Sequence, residues 1–187
     1  DNIMPLVNLS IVYARLEKPG KSQTALEKAH KIAPKDAGIN FNLGLLLAEK
    51  GQTNQAKRHM QTALDTDPNF AEAAFNLAVM TADTDINETI KLCKKAYKLR
   101  PDNSRYGYTL AYYLFQSKEY NRAIGVLVKM IEEPDTSASV YSLLGEIYKI
   151  QGRKSDAVEI YRKATQDESL STRERYGFES MLQRLDR

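Results

Sequence analysis

The stretch 40–68, NFNLGLLLAEKGQTNQAKRHMQTALDTDP, decides how this chain folds. Asn40, Leu43, Gly44 and Leu47 lie at i, i+3, i+4 and i+7, which is one face of an α-helix. Ala56, Met60 and Ala63 repeat that spacing further on. Gly51 separates the two runs. Pro68 stops the second, because proline has no N–H to continue the helical ladder. The stretch reads as helix, turn, helix.

Working outward, the same pattern recurs. Asn42-Leu43-Gly44 has counterparts at Asn8-Leu9-Ser10 and Asn76-Leu77-Ala78, each 34 residues away. Thr109-Leu110-Ala111 follows after 33 and Leu143-Leu144-Gly145 after another 34. A second marker runs out of phase with the first: Ala29, Ala63 and Ala96 each stand five residues before a proline, Pro34, Pro68 and Pro101. A fixed period in the range of about 20–50 residues is the signature of stacked repeats. Ser10, Gly44, Ala78, Ala111 and Gly145 on the first helix, with Ala56, Ala63, Ala123, Ala157 and Ala164 on the second, fall where close helices need small residues. Axes packed about 8–10 Å apart leave little room there.

The period divides residues 1–171 into five units, about 3–36, 37–70, 71–103, 104–137 and 138–171. The third unit is one residue short, in the 83–87 turn, and carries Thr81 and Thr89 at positions that are otherwise apolar or small. The fourth has Met130 where alanine is usual. Local distortion is expected at both, not a different fold. The tail, 172–187, reads as one more helix that caps the array. Ser171-Thr172-Arg173-Glu174 fits a capping box, and Phe178, Met181, Leu182 and Leu185 form an apolar stripe. Arg173, Arg175, Glu179, Arg184 and Arg187 supply the wet outer face that a terminal helix needs.

Composition removes many functions. At 42% hydrophobic, the 187-residue chain is too apolar to stay disordered. A net charge of +3, from 27 basic and 24 acidic residues, argues against nucleic acid, whose binders concentrate a basic stripe. One cysteine, Cys93, excludes an internal disulfide. No apolar run reaches the roughly 18 residues that insert into a membrane. The chain shows no signal-peptide pattern, and it begins Asp1-Asn2, which reads as a piece or processed form of a longer one. A soluble chain is expected, and the compartment, cytoplasmic or periplasmic, stays open. Tryptophan is absent and the only histidines are His30 and His59. No phosphate loop, dinucleotide fingerprint, H-E-x-x-H or C-x-x-C occurs. No catalytic residue, cofactor or metal is expected, so the chain does not read as an enzyme.

The repeats resemble the tetratricopeptide repeat (TPR) family. That family has a large residue, Leu-Gly and Tyr in its first helix, then Ala, an aromatic, Ala and Pro in its second. Tyr141, Leu144, Gly145, Tyr148, Ala157, Tyr161 and Ala164 match best, and Leu43, Gly44, Ala56, Ala63 and Pro68 follow. The resemblance covers roughly residues 3–171. It implies an all-α, right-handed α-solenoid of helix-turn-helix repeats, closed here by a C-terminal capping helix. It also implies that the first helices line a concave groove.

The first helices say more than their fold. Opposite the core stripe, where a surface helix should be polar, lie Val7 and Ile11, then Phe41, Leu45 and Ala48. Phe75, Val79 and Ala82 follow in the third unit, and Tyr108, Tyr112 and Phe115 in the fourth. The second helices have a wet outer face, as Gln55, Arg58, Gln61, Thr62 and Asp65 show. Placed in the groove that the resemblance implies, these residues make an apolar, partly aromatic floor that ends polar at Ser139, Ser142, Glu146 and Lys149. An exposed apolar patch of that kind marks a partner site. Side chains packed between neighbouring helices would account for the same pattern.

Asn8, Asn42 and Asn76 hold one position in three successive units beside that floor. An amide carries donor and acceptor, so such a ladder can hold the backbone of an extended peptide. Similar ladders occur in some TPR grooves. Bonding of each Asn to its own array is the alternative. The family's carboxylate clamp for chaperone tails needs cations where Val7, Phe41 and Phe75 stand, and Arg105 is the one cation expected on the floor. A chaperone-tail adaptor is therefore not expected. Lys91, Lys94, Lys95, Lys98 and Arg100 read as a solvated outer face, Cys93 as an inert core thiol, and His30 and His59 as surface residues.

The expected function is a non-catalytic scaffold that binds another protein's peptide or helix in the concave groove. Two rivals stand beside it. One is self-association through the same groove. The other is the docking arm of a larger enzyme, since 105–111 and 144–148 look similar to repeat arms of some bacterial multihaem cytochrome-type proteins. No C-x-x-C-H haem site lies in this chain.

Overall fold

Gly51 sits at φ +73° and Gly152 at φ +72°, in the left-handed region that glycine enters without steric cost. Each follows a first helix and turns the chain back into a second. Glu17 (φ 54°) and Lys118 (φ 62°) take the same step at the equivalent place in their own repeats. The computed structural model describes residues 3–134 and 136–185, and these form eleven α-helices with no strand among them. The helices fall into two compact units, one up to Leu99 and one from Arg100.

The first unit holds α1 (Met4–Arg15), α2 (Pro19–Ile32), α3 (Ala37–Glu49), α4 (Thr53–Thr66), α5 (Ala71–Thr81) and α6 (Ile86–Leu99). Each first helix packs on the second helix that follows it, and α2 and α4 also pack on the next first helix. Asp36 starts α3: its Oδ1 accepts from the Ile39 N–H at 2.8 Å, satisfying one of the orphan donors of a helix N-terminus. Leu26, Ala29, Ile39, Leu43 and Leu46 form a core cluster across α2 and α3. Burying a leucine such as Leu43 contributes roughly 1.5–3 kcal/mol. The small residues sit where the helices meet. Ala29, Ala56, Ala63, Ala78 and Ala96 are fully buried, and Gly44 leaves bare backbone for Met60 to pack on.

The third helix pair shows how the missing residue is absorbed. No residue of the 82–85 turn takes a positive φ, so the left-handed step is what the shorter repeat lacks. α5 has 11 residues where α3 has 13. Hydroxyls tie the junction. Thr81 Oγ1 donates to the Leu77 carbonyl at 2.7 Å, and Thr89 Oγ1, fully buried, donates to the Asp85 carbonyl at 2.8 Å. Asp85 Oδ1 in turn accepts from the Glu88 N–H at 3.0 Å and starts α6.

The second unit holds α7 (Ser104–Gln116), α8 (Tyr120–Met130), α9 (Ala138–Ile150), α10 (Lys154–Gln166) and α11 (Thr172–Leu185). Here α8 ends after 11 residues at the buried Met130. Thr136 Oγ1 donates to the carbonyls of Met130 (2.6 Å) and Glu133 (3.0 Å), fastening the connection to α9. The capping box at α11 forms: the Ser171 N–H and hydroxyl donate to Glu174 Oε2 at 2.9 and 2.6 Å. Phe178 is buried against the rings of Tyr141 and Tyr161, with centroids 6.1 and 5.8 Å away. Tyr141 donates its hydroxyl to Asp167 Oδ2 at 2.8 Å. Leu182 and Leu185 are half-buried and Met181 is exposed. Arg173, Glu179 and Arg184 are exposed, Arg175 is half-buried, and Arg187 lies outside the described residues.

Candidate functional site

The repeat register sorts the expected site residues into three rows, and the structure treats each row differently. In the first unit Ile11, Leu45 and Val79 occupy one register, and in the second unit Tyr112 and Glu146 continue it. This row is open. Ile11 is 42% exposed, Val79 46% and Tyr112 40%. Leu45 is half-buried and Glu146 exposed.

The row one turn earlier is largely closed. Val7 packs against the core cluster of α2 and α3. Phe41 is half-buried and stacks on Phe70 at the start of α5, with centroids 4.7 Å apart and planes at 37°. Phe75 is only 3% exposed. The expectation that Phe75 forms open floor is corrected: it is part of the packing. The reason is geometric. Val7 and Phe41 face along the stack, toward the helix pair that follows each of them, and Phe75 shares their register, while Ile11 and Val79 stay open.

The asparagine row is not three equivalent amides. Asn8 is exposed. Asn42 is half-buried and makes no side-chain hydrogen bond to the described residues. Asn76 donates its amide to the Glu72 carbonyl of its own helix at 2.8 Å. An amide committed to its own backbone has less left for a ligand.

In the second unit α7 and α9 enclose an open cavity of about 330 Å³. Tyr108, Tyr112 and Phe115 line it from α7; Ala138, Ser139, Ser142, Leu143 and Glu146 line it from α9. The edges of the aromatic wall are braced. Tyr112 meets Tyr113 edge-on at 5.5 Å, and Phe115 meets Tyr120 at 6.0 Å. Burial pushes the Tyr108 hydroxyl pKa up, and the charges of Tyr112 and Glu146 push it the same way. Tyr161 is raised too, by burial first and then by Glu146. Glu146 itself makes no hydrogen bond or ion pair with the described residues.

A polar cluster in the first unit escaped the sequence reading. Asn40 is buried and gives both amide protons to carbonyls, Pro34 at 2.9 Å and Asp36 at 2.8 Å. Its Oδ1 is 2.9 Å from His59 Nδ1. With its amide protons committed, Asn40 can only accept there, so His59 is the Nδ1–H tautomer. His59 packs edge-on to His30, with centroids 5.3 Å apart. Its pKa is lowered, by burial first and by His30 second. The expectation that His30 and His59 are surface residues is corrected: both are half-buried. The register carried the signal: His59 stands where the other second helices place Ala25, Leu92 and Ile160, all buried, and Val126, half-buried.

On the second helices Lys91, Lys94 and Lys98 are exposed, and Lys91 pairs with Glu88 at 3.1 Å. Cys93 is fully buried, and burial pushes its thiol up to about 12. Such a thiol carries almost no thiolate at neutral pH and is a poor nucleophile. Among the described residues no three His, Cys, Asp or Glu side chains cluster as metal ligands. Nor is any helix among them long and apolar enough to cross a membrane.

Residues 14–79 match the family model described as tetratricopeptide repeat. The chain belongs to the TPR family. A second model, described as anaphase-promoting complex, cyclosome, subunit 3, matches TPR residues 82–164. The TPR chain is 27% identical over 149 residues to anaphase-promoting complex subunit 3 of Schizosaccharomyces pombe, covering 76% of this chain and 22% of that protein. It is 26% identical over 129 residues to the human protein O-mannosyl-transferase TMTC3, covering 66% of this chain and 14% of that protein. It therefore spans about a fifth and a seventh of these two relatives. Among solved structures it is similar to YrrB, described as a TPR protein with an unusual peptide-binding site. That match has a TM-score of 0.79 at 13% identity and covers 96% of this chain and 92% of that one. MamA follows with a TM-score of 0.75 at 21% identity, covering 86% and 94%. The TPR solenoid is thus the fold of this chain.

Proposed function

We propose that this TPR protein is a non-catalytic scaffold that receives a partner's extended or helical peptide on the first-helix face of its repeats. One observation carries the reading: Ile11, Val79 and Tyr112 share a register and stay 40–46% exposed. Large apolar side chains held open at one register, repeat after repeat, are a partner surface in waiting. Leu45, Tyr108 and Phe115 would add apolar area beside them, and Asn8 and Asn42 would meet the peptide backbone. Asn76 and Phe75 support the face from within. A relative named as a subunit of a multiprotein complex supports an assembly role, and a neighbour described by its peptide-binding site supports a peptide ligand.

The test is affinity capture from the source organism's lysate, read by mass spectrometry. Wild type is run beside an Ile11→Asp, Val79→Asp, Tyr112→Ala variant that keeps its helical circular dichroism. All three positions are open, so the fold should survive. Partners lost with the variant support the face; the same partners on both would place binding elsewhere.

A second reading is favoured by α1. Met4, Leu9, Val12 and Leu16 are exposed there. Leu9 and Val12 hold the register of Leu43 and Leu46, which are buried in α3. A second copy of the chain covering α1 would make the protein self-associating. Sedimentation equilibrium would then show a mass that rises with concentration, and Leu9→Lys would abolish the rise.

A further inference from the structure

We propose that the cavity between α7 and α9 takes one basic side chain, arginine or lysine, of the partner peptide, with its stem against Tyr108, Tyr112 and Phe115 and its cation at Glu146. The proposal rests on the partner-binding reading of the first-helix face and names the chemistry that one part of that face selects.

Five observations carry it. The volume, about 330 Å³, is at the small end of ligand cavities and suits a single long side chain rather than a folded segment. The lining is divided. One wall is three aromatic rings, the other is Ala138, Ser139, Ser142 and Leu143, and Glu146 is the single charged residue of the lining. No cation lines the cavity to neutralise that carboxylate. Finally, Glu146 replaces the apolar side chains that Ile11, Leu45, Val79 and Tyr112 place in the same register. Glu146 makes no hydrogen bond or ion pair within the described residues, so it is available to a ligand.

The alternatives fit less well. An acidic ligand side chain would meet Glu146 and the electron-rich faces of three rings. A purely apolar one would cover the rings and draw water away from a carboxylate with nothing to replace it. A basic side chain satisfies both walls. Its methylene stem buries against apolar rings, its cation is attracted to ring faces, and its N–H groups pair with the carboxylate. Arginine has the advantage of a planar head that stacks and pairs at once.

The experiment is phage display of random dodecapeptides on the whole 187-residue chain, as wild type, Glu146→Lys and Tyr112→Ala. Wild type should enrich peptides with arginine or lysine at one fixed position. Glu146→Lys should enrich Asp or Glu at that position and leave the rest of the consensus unchanged. Titration calorimetry with the best wild-type peptide follows. Changing its basic residue to glutamine, or the protein's Glu146→Gln, should each weaken binding about tenfold, the worth of a charge-assisted hydrogen bond. Making both changes should cost no more than either alone, because both remove one pair. Peptides that Tyr112→Ala loses but that carry no fixed basic residue would overturn this proposal and leave the partner face standing. The same follows if Glu146→Gln leaves affinity unchanged. Peptides that bind Tyr112→Ala as well as wild type, or no enriched peptide at all, would overturn both.

Discussion

Tyr161 of α10 lies flat enough on Gly145 of α9 that a Cβ there would stand 2.2 Å from its Cε1 and 2.5 Å from its Cζ. The ring cannot easily give way, because it also packs on Phe178 of α11 at 5.8 Å. Gly145→Ala gains about 1 kcal/mol of helix propensity but must displace a ring or a helix. We expect a net loss of about 1–3 kcal/mol, the usual range for overpacking. The equivalent Gly44 meets the flexible Met60 instead, its Cβ falling 2.9 Å from Cε. Gly44→Ala should change stability by less than about 1 kcal/mol. Urea unfolding of both variants checks the order, and equal losses would contradict the packing account. Gly145→Ala combined with Tyr161→Leu should recover part of the loss.

The turns offer a gain. Glu17 and Lys118 hold φ values of 54° and 62°, where their counterparts are Gly51 and Gly152. A left-handed residue with a Cβ costs about 1–2 kcal/mol, partly offset by the extra entropy a glycine loses on folding. Glu17→Gly and Lys118→Gly should each stabilise by roughly 0.5–1 kcal/mol. A higher Tm in a thermal melt is the expected result; a lower one would mean the side chains themselves hold the turns.

Leu9 and Leu43 separate register from environment. They are one repeat apart, yet Leu9 is 41% exposed and Leu43 only 4%. Leu43→Ala should cost about 2–5 kcal/mol, as buried leucines do. Leu9→Ala should cost under about 1 kcal/mol, in line with surface changes. Chemical denaturation at low and at high protein concentration reads both. A loss at Leu9 that grows with concentration would show that α1 is covered in solution, which is the self-association reading.

His59 gives the protein an acid-side sensitivity. Burial and His30 hold its pKa below the ordinary 6.5. The unfolded chain therefore takes up a proton near 6.5 that the folded chain resists. The stability tied to His59 is complete above that pH and declines as pH falls through 6.5 toward the folded pKa. Burial works to raise Asp167, but hydrogen bonds from Ser169 and Tyr141 together outweigh it, and hydrogen bonds from Ser171 lower Glu174, so both lie below their ordinary carboxylate values and their contribution is lost in more acid solution. Between pH 7.5 and 5.5 the Tm of wild type should fall, and His59→Gln, which keeps a donor for Asn40, should flatten that slope. Identical slopes would assign the effect to other groups.

The spacing of Asn42, Leu43 and Gly44 against their counterparts made the helix pairs legible, and Ser171 with Glu174 made the last helix start legible. These features are local or periodic. A helix needs only its own apolar stripe, its caps and its stops to be read. The small residues were legible for the same reason, since Gly44, Ala63 and Ala164 are small whatever lies opposite.

What the amino-acid order by itself determined, then, is the repeat, the family and the direction in which each side chain leaves its own helix. It could not say what stands in that direction. Phe75 and Val79 both point away from the core stripe, and only the packed helices decided that one is buried and the other open. Asn40 and His59 are 19 residues apart on different helices, and their hydrogen bond exists because α3 and α4 bring them face to face. Glu146 became notable only when α9 set it beside the rings of α7. Helical periodicity fixes an angle about one axis. Exposure and partnership depend on the second axis, about 8–10 Å away, and that is decided only when the helices pack.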